Sequence, residues 1–212
     1  MTATTFTALD NIAAFTIAAW MYRGATGSTG MWIISKGISS GRTLLELWSD
    51  NVWYCGVNCG NGFGTVSYTG TGLHHVAMTF DGSLTQSQRL KLWIDGSQLA
   101  FTGGTNTQGT VSQISGTNLE VGRDTGNVSG KSGSATGISH LLIIPGYALT
   151  QSQLADVIHR PGNPPYTPGA FFPMDGPAAT TEPDICGNRD GTWVSTAATL
   201  DRSPGVSFGK VK

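Results

Sequence analysis

The stretch LHHVAMTFDGSLTQSQRLKLWIDG, residues 73–96, decides the fold. Both of its halves alternate apolar side chains with others at a period of two, the spacing of a strand buried on one face. The apolar set consists of Val76, Met78, Phe80, Leu90, Leu92 and Ile94. Each half ends at an Asp-Gly pair, Asp81-Gly82 and Asp95-Gly96, where glycine tolerates a positive φ and aspartate bonds its own backbone. The stretch therefore predicts two strands of a sheet with one buried face.

The composition of the whole chain suits strands and tight turns. Of its 212 residues, 39% are hydrophobic, which is enough for a core. Charged residues make up 12%, about half of the usual ~25%. Glycine occurs 30 times, roughly twice the usual share of ~7%. The polar surface is therefore built from uncharged residues, which argues against surface helices held by ion pairs.

Charge and hydropathy exclude two classes of partner. The net charge of −1 leaves no electrostatic footprint for nucleic acid or an anionic membrane. No apolar run approaches the ~20 residues that a membrane-spanning helix needs. We therefore expect neither nucleic-acid binding nor membrane insertion. Residues 1–11 also lack the basic and apolar regions of a secretory signal peptide.

Short strands separated by glycine-rich breaks recur along the chain, and they predict an all-β, two-sheet antiparallel sandwich of roughly twelve to fourteen strands. Beyond residues 73–96, the predicted strands are 15–23, 31–35, 43–48, 52–57, 65–68, 99–102, 110–114, 118–122, 138–144, 170–174 and 192–195. The strand at 138–144 is apolar on both faces, which predicts a central position.

One short α-helix is predicted after Thr150. Thr150 is a favoured N-cap, and Gln153 at the third helical position completes a capping box. Leu154, Val157 and Ile158 form one apolar stripe.

A proline-rich segment, PGNPPYTP at residues 161–168, follows this helix and predicts a stiff linker. We therefore divide the chain into a sandwich at 1–160, and a linker with a C-terminal tail at 161–212 that packs on the same sandwich.

Several segments in a fixed order carry a family resemblance. They are FTIAAWMYR (15–23), HHVAMTFDGS (74–83), LKLWIDG (90–96), LEVGR (119–123) and GISHLLIIPGYALTQSQLADVI (137–158). Together they resemble the laminin G-like, concanavalin A-like jelly-roll superfamily of lectins and glucanases. The resemblance covers about residues 10–160 and implies that the sandwich is a jelly roll. FFPMDGPAATTEPDICGNRDGTWV (171–194) is similar to a further segment of that family, placed here as in some viral and phage-associated relatives.

The resemblance implies a binding or structural module. The first predicted function is a non-enzymatic structural or adhesive virion component, a capsid decoration or tail-associated protein. Its partners would be other subunits of a capsid or tail and host-surface glycans, and its location the virion surface or the extracellular space. The alternative is a secreted, lectin-like carbohydrate-binding domain.

Three tryptophans are candidate sugar-binding residues, because sugar sites use exposed aromatic rings with polar partners. In a simple register of the 43–57 hairpin, Trp48 and Trp53 share a face with Glu46, while Trp93 shares a face with Lys91. The competing interpretation is that most tryptophans lie in the core.

Catalysis is not expected. Glycoside hydrolysis needs two carboxyl groups ~5–9.5 Å apart, and the chain has three glutamates, Glu46, Glu120 and Glu182. The nearest pair in sequence on a suitable strand, Glu46 and Asp50, would lie about 13 Å apart if extended. We therefore predict that the chain is not an enzyme.

No cofactor is predicted, although the resemblance makes calcium a weak candidate. Its ligands would be Asp124, Asp184, Asn188 and Asp190, residues that turn chemistry explains equally well. The adjacent His74 and His75 point to opposite faces of a strand and cannot chelate one ion together.

The cysteines leave two alternatives open. Cys55 and Cys59 would lie about 13 Å apart in a straight strand, too far for a disulfide with its Cα separation of ~4.4–6.8 Å. The intervening glycines allow a turn that brings them together, whereas Cys186 has no evident partner. One disulfide with one free thiol, or three free thiols, both fit the sequence.

Overall fold

The protein forms a two-sheet antiparallel β-sandwich, as the sequence predicts. A computed structural model describes residues 1–3, 6–26, 30–37, 41–48, 50–60, 62–106, 108–112, 117–122, 136–160, 166–172, 181–182 and 191–192. Within these ranges the chain forms fourteen strands and one α-helix.

The strands follow one another with short connections. In chain order they are β1 (Thr2–Ala3), β2 (Ala14–Arg23), β3 (Met31–Lys36), β4 (Thr43–Leu47), β5 (Val52–Val57), β6 (Gly64–Ser67), β7 (Gly72–Asp81), β8 (Leu90–Ile94), β9 (Ser97–Leu99), β10 (Leu119–Glu120), β11 (Thr136–Pro145), β12 (Ala170–Phe172), β13 (Thr181–Glu182) and β14 (Gly191–Thr192). Helix α1 (Gln151–His159) lies between β11 and β12.

The two sheets differ in size. The eight-stranded sheet has the order β13-β14-β1-β10-β3-β4-β5-β6, and the six-stranded sheet has the order β12-β11-β2-β7-β8-β9. The strands after residue 160 thus pair with strands of the sandwich in both sheets. The division of the chain at residue 160 stays a prediction.

The deciding stretch forms β7 and β8, which pair with Val76 opposite Ile94 and Phe80 opposite Leu90. All six of its apolar side chains lie in the core between the sheets. Asp95 and Gly96 have φ values of 50° and 76°, which suit the type I′ turn of a two-residue hairpin. This turn leads directly into β9, so the strand predicted at 99–102 lies at Ser97–Leu99 instead.

Two other strand predictions need correction. Residues 110–112 are not a strand, and residues 113–114 lie outside the described part of the chain. The strand predicted at 118–122 is shortened to β10. Gly122 has a φ of 77°, which interrupts extended backbone, and its N–H donates to the Trp32 carbonyl at 2.9 Å.

The six-stranded sheet is buried on both faces where one buried face was expected. Helix α1 crosses its outer face, and Leu154 and Val157 pack there on Ala77 and Trp93. The capping box is visible at the helix start, where Gln153 Oε1 accepts the Thr150 N–H at 2.9 Å. The apolar side chains on this outer face, among them Ala77 and Trp93, are therefore buried because a helix covers them.

The helix also explains why strand β11 is apolar on both faces. Leu141 and Ile143 join the core between the sheets, whereas Leu142 and Ile144 lie under the helix. β11 lies between β2 and β12, which confirms its predicted interior position.

Burial of His75 on this outer face makes stability pH-dependent. His75 is 3% exposed and meets the Trp20 ring edge-on at 5.5 Å. Burial lowers its pKa from 6.5 to about 4, while the charge of Asp95 opposes the shift. As the pH falls, the unfolded chain binds this proton before the folded chain does. We expect nearly full stability above about pH 7.5 and a loss of about 3 kcal/mol as the pH falls from about 7.5 to about 4.

Urea unfolding at these two pH values checks this prediction. His75→Gln should remove most of this contribution, whereas His159→Gln, at an exposed helix end, should keep it. An unchanged pH dependence in His75→Gln would show that other groups cause the acid destabilisation.

Candidate functional site

The turn between β4 and β5 decides which face each hairpin tryptophan takes. The Trp48 N–H donates to the Val52 carbonyl at 2.9 Å, and Asn51 has a φ of 65°. The loop thus has three residues, 49–51, and Trp53 lies opposite Leu47. Cross-strand partners share a face, so Trp53 points into the core, where it is 0% exposed.

Trp48 lies on the other face of this hairpin. It shares that face with Glu46, as predicted, and is 40% exposed. The predicted placement of Trp53 beside Glu46 is wrong. The three-residue loop pairs Leu47 with Trp53 and Glu46 with Tyr54, so Trp53 lies on the face opposite to Glu46. Trp53 is therefore a core residue that a ligand cannot reach.

Trp93 is also inaccessible to a ligand. It is 5% exposed on the outer face of the six-stranded sheet, packed among the residues under helix α1. Its ring N–H donates to Thr79 Oγ1 at 3.0 Å, which satisfies a polar group that burial would otherwise leave without a partner. Of the three candidate tryptophans, Trp48 alone remains at the surface.

A row of aromatic rings extends from Trp48 over the outer face of the eight-stranded sheet. The Trp48 ring lies 5.1 Å from Tyr54, and the Tyr54 ring lies 6.4 Å from Phe63 in an edge-to-face contact. Both distances fall in the range of favourable ring pairs. We call Trp48, Tyr54 and Phe63 the ring row.

A glycine makes room for the last ring. A Cβ added to Gly56 in β5 would lie 2.8 Å from a Phe63 ring atom and 2.5 Å from Cys59 Sγ. The missing side chain therefore lets Phe63 lie against the sheet next to Tyr54.

Polar and charged groups border the ring row. Tyr54 donates its hydroxyl to Asp50 Oδ2 at 3.3 Å, and Asp50 Oδ1 accepts the Val52 N–H at 3.0 Å. The Arg42 guanidinium lies 5.5 Å from the Phe63 ring. Burial and the neighbouring Asp50 raise the pKa of Tyr54, so its hydroxyl stays a neutral donor at physiological pH.

The other residues of this surface were not predicted. For Tyr54 the sequence does contain a signal, because alternation along β5 places it on the other face of the strand from Trp53. Phe63 and Arg42 lie outside strands, and no local pattern in the sequence brings them to Tyr54.

The carboxylates occupy separate positions on the eight-stranded sheet. Glu46 is 1% exposed and pairs across strands with Trp32 and Tyr54. Glu120 in β10 accepts the Thr2 hydroxyl at 2.5 Å. Asp50 stabilises the turn between β4 and β5, because its Oδ1 accepts the Val52 N–H. The side chain of Glu182 lies outside the described part, and the expected absence of catalysis stays a prediction.

The calcium candidates Asp124, Asp184, Asn188 and Asp190 lie outside the described residues. Among the residues that the structure describes, no group of three or more His, Cys, Asp or Glu side chains is able to hold a metal ion. The expectation of no cofactor therefore stays a prediction, and calcium stays a weak candidate.

The two adjacent histidines diverge, as predicted. His74 Nδ1 lies 2.7 Å from Asp95 Oδ2, whereas His75 is buried against Trp20. Asp95 does more than form its turn, because its Oδ1 also accepts the His75 backbone N–H at 2.8 Å. The carboxylate thus ties the end of β8 to β7.

Cys55 and Cys59 are free thiols in the structure, the first buried and the second half-buried. Burial raises the pKa of both, that of Cys59 to about 11. Both are therefore protonated and weakly nucleophilic at neutral pH. Cys186 lies outside the described residues.

In the part of the chain that the structure describes, no helix has both the length and the apolar character to cross a bilayer.

Solved structures share this sandwich. A candidate carbohydrate-binding protein from Bacteroides ovatus matches with a TM-score of 0.62 at 16% identity, over 90% of this chain and 55% of that chain. The chain thus spans about half the length of that protein. A heptameric SAP-like pentraxin from Limulus polyphemus matches with a TM-score of 0.49 at 16% identity, over 74% of each chain.

A sialidase from Trypanosoma rangeli matches with a TM-score of 0.47 at 15% identity, over 69% of this chain and 23% of the sialidase. At these identities the likeness concerns the fold alone. A comparison with curated protein sequences gives no significant match.

A family model provides the assignment. The laminin G model of the concanavalin A-like lectin/glucanases superfamily matches residues 2–155. This range includes the whole of the segments at 15–23, 74–83, 90–96 and 119–123, and residues 137–155 of the segment at 137–158. The chain therefore belongs to the concanavalin A-like lectin/glucanases superfamily.

Proposed function

We propose that this chain is a lectin-like carbohydrate-binding module and that the ring row is its sugar-binding surface. The observation that carries the proposal is the position of Trp48, which is 40% exposed and held at 5.1 Å against Tyr54. Contiguous apolar surface bordered by polar residues is typical of a ligand-binding or interaction site, whereas single exposed apolar side chains are not.

The chemistry of the border fits a sugar. The apolar C–H face of a pyranose packs on an aromatic ring, while its hydroxyls need donors and acceptors at the edge. Asp50 supplies acceptors, Tyr54 a hydroxyl and Arg42 a cationic donor. The ring row and its border therefore provide, on one surface, both an aromatic ring for the C–H face of a sugar and polar groups for its hydroxyls.

Two comparisons support the same function. The superfamily contains lectins, and the Bacteroides ovatus protein is a candidate carbohydrate-binding protein of the same fold. They support the alternative derived from the sequence better than its first prediction. The virion role, its capsid or tail partners and the virion or extracellular location stay predictions, since neither the described residues nor the comparisons bear on them.

A glycan array with and without calcium tests the proposal. We expect wild-type protein to bind a defined set of glycans and Trp48→Ala to lose at least about tenfold in affinity, equivalent to about 1.4 kcal/mol. Tyr147→Ala is the matched control, because Tyr147 is a 61% exposed aromatic residue outside the ring row, and it should bind as wild type does. No binding under either condition, or equal binding by Trp48→Ala, would refute the proposal.

A further inference from the structure

A groove of about 770 Å³ lies at the edge of the six-stranded sheet, next to β9. This volume is in the range of small-molecule sites, which measure about 300–1,000 Å³. One wall is the edge of β8 and β9, and the other consists of the segments around residues 84–88 and 100–106.

The groove exists because β9 is shorter than its partner β8. The pairing of the two strands ends at Leu92 opposite Leu99. Leu90 and Lys91 at the start of β8 therefore pair with β7 on one side and have no paired strand on the side of β9. The chain after Leu99 diverges and bonds to the other sheet, where the Thr102 N–H donates to the Thr65 carbonyl at 2.9 Å.

The ladder geometry aims main-chain groups into this groove. Arg89 and Asp95 bond to β7 through the Arg89 carbonyl and the Asp95 N–H. Successive residues of a strand direct these groups to opposite sides, so the even-numbered residues of β8 point toward β9. The peptide groups of Leu90 therefore face the groove, beyond the end of β9.

The side chains of the groove add donors, acceptors and an apolar floor. Its polar side chains are Ser87, Gln88, Lys91, Gln98, Thr102 and Asn106, and Leu99 and Phe101 provide apolar surface. Of the described lining residues, Lys91 alone carries a charge. A mixture of amide, hydroxyl and peptide groups above apolar surface is suited to a polyhydroxylated ring.

The groove adjoins the ring row. Phe63 is the last ring of the row, and its carbonyl accepts the N–H of Asn106, a lining residue, at 3.3 Å. Gly104 makes an even closer approach, because a Cβ there would lie 2.0 Å from the Phe63 carbonyl oxygen. The segment 100–106, which lines the groove, thus packs directly on the backbone of Phe63, a residue of the ring row.

We propose that the groove is a second saccharide-binding site, which holds part of the glycan that the ring row binds. The ligand is accordingly an extended oligosaccharide and not a single sugar. This inference rests on the proposed function and adds the size of the ligand and a second set of contacts. The gain comes from binding two parts of one chain, since the second contact is then intramolecular.

Calorimetric titration with the longest glycan that binds on the array, and with forms of it shortened to the terminal monosaccharide, tests the inference. We expect wild-type affinity to rise with chain length by about tenfold or more. Ala100→Trp places an indole in the groove from an exposed position and should abolish this rise while keeping the affinity for the shortest form. Gln88→Ala/Gln98→Ala, which removes two exposed amides, should reduce the rise.

Gln151→Trp is the matched control, because it adds the same indole at an exposed position of helix α1. It should keep the full dependence on chain length. Equal affinity for all lengths, or a full rise in Ala100→Trp, would overturn the groove inference and leave the ring row in place. Loss of binding at every length in Trp48→Ala supports the ring row independently, and absence of any glycan binding would overturn both.

Discussion

Replacing Trp53 with alanine should destabilise the protein by about 3–5 kcal/mol, the usual cost of truncating a buried tryptophan. Trp53 is 0% exposed, packs in the core between the sheets and lies 6.4 Å from the Tyr68 ring. The truncation removes buried apolar surface and leaves a cavity that strands on both sides prevent from collapsing. Urea unfolding followed by far-ultraviolet circular dichroism measures this loss.

The same hairpin offers the matched control. Trp48→Ala removes the same side chain from the opposite, partly exposed face and should cost about 1 kcal/mol or less, mainly its contact with Tyr54. Trp53→Phe keeps a ring in the core and should retain enough stability for glycan binding to be measured. Equal destabilisation by the two alanine variants would contradict the assignment of Trp53 to the core and Trp48 to the surface.

Replacing Lys36 with methionine should destabilise the fold by about 3–5 kcal/mol, because it leaves a buried carboxylate without its cation. Lys36 is 0% exposed in β3, and its Nζ lies 2.7 Å from Asp10 Oδ1. Its Nζ also donates to the Thr117 hydroxyl at 2.8 Å. The ammonium thus connects three separate segments of the chain at the edge of the core.

A double-mutant cycle separates this ion pair from simple packing. Lys36→Met/Asp10→Leu removes both charges and should recover a large part of the loss, because a hydrophobic pair of similar volume is often as stable as a buried ion pair. If the double variant were as unstable as the sum of the single ones, the two charges would not be coupled.

The strand pattern was the most predictable part of this protein. The strands at 52–57 and in the deciding stretch are found where alternation places them, since the period of two follows from local backbone geometry. The errors occur at strand ends, where residues take a positive φ. β10 stops at Glu120 because the positive φ of Gly122 interrupts the extended backbone, and β9 starts early because Asp95 and Gly96 form a two-residue turn.

The candidate site was predicted only in part. Trp48 was identified on its correct face, whereas Trp53 was assigned to the wrong face, because the pairing across the hairpin places Trp53 opposite Leu47 and Tyr54 opposite Glu46. Trp93 was assigned to the correct strand, but the helix that covers it is more than fifty residues away in the chain. Phe63 joins the surface through a contact above Gly56, for which no sequence pattern exists.

Most of the strands, the capped helix and the superfamily could be predicted from the sequence, because they depend on local periodicity, capping residues and the order of short motifs. The tertiary structure alone decided which tryptophan is exposed, that a helix covers the outer face of the six-stranded sheet, and that β9 ends early enough to leave a groove. The physical reason is that alternation tells which side chains share a face, whereas burial of that face depends on what packs against it from elsewhere in the chain.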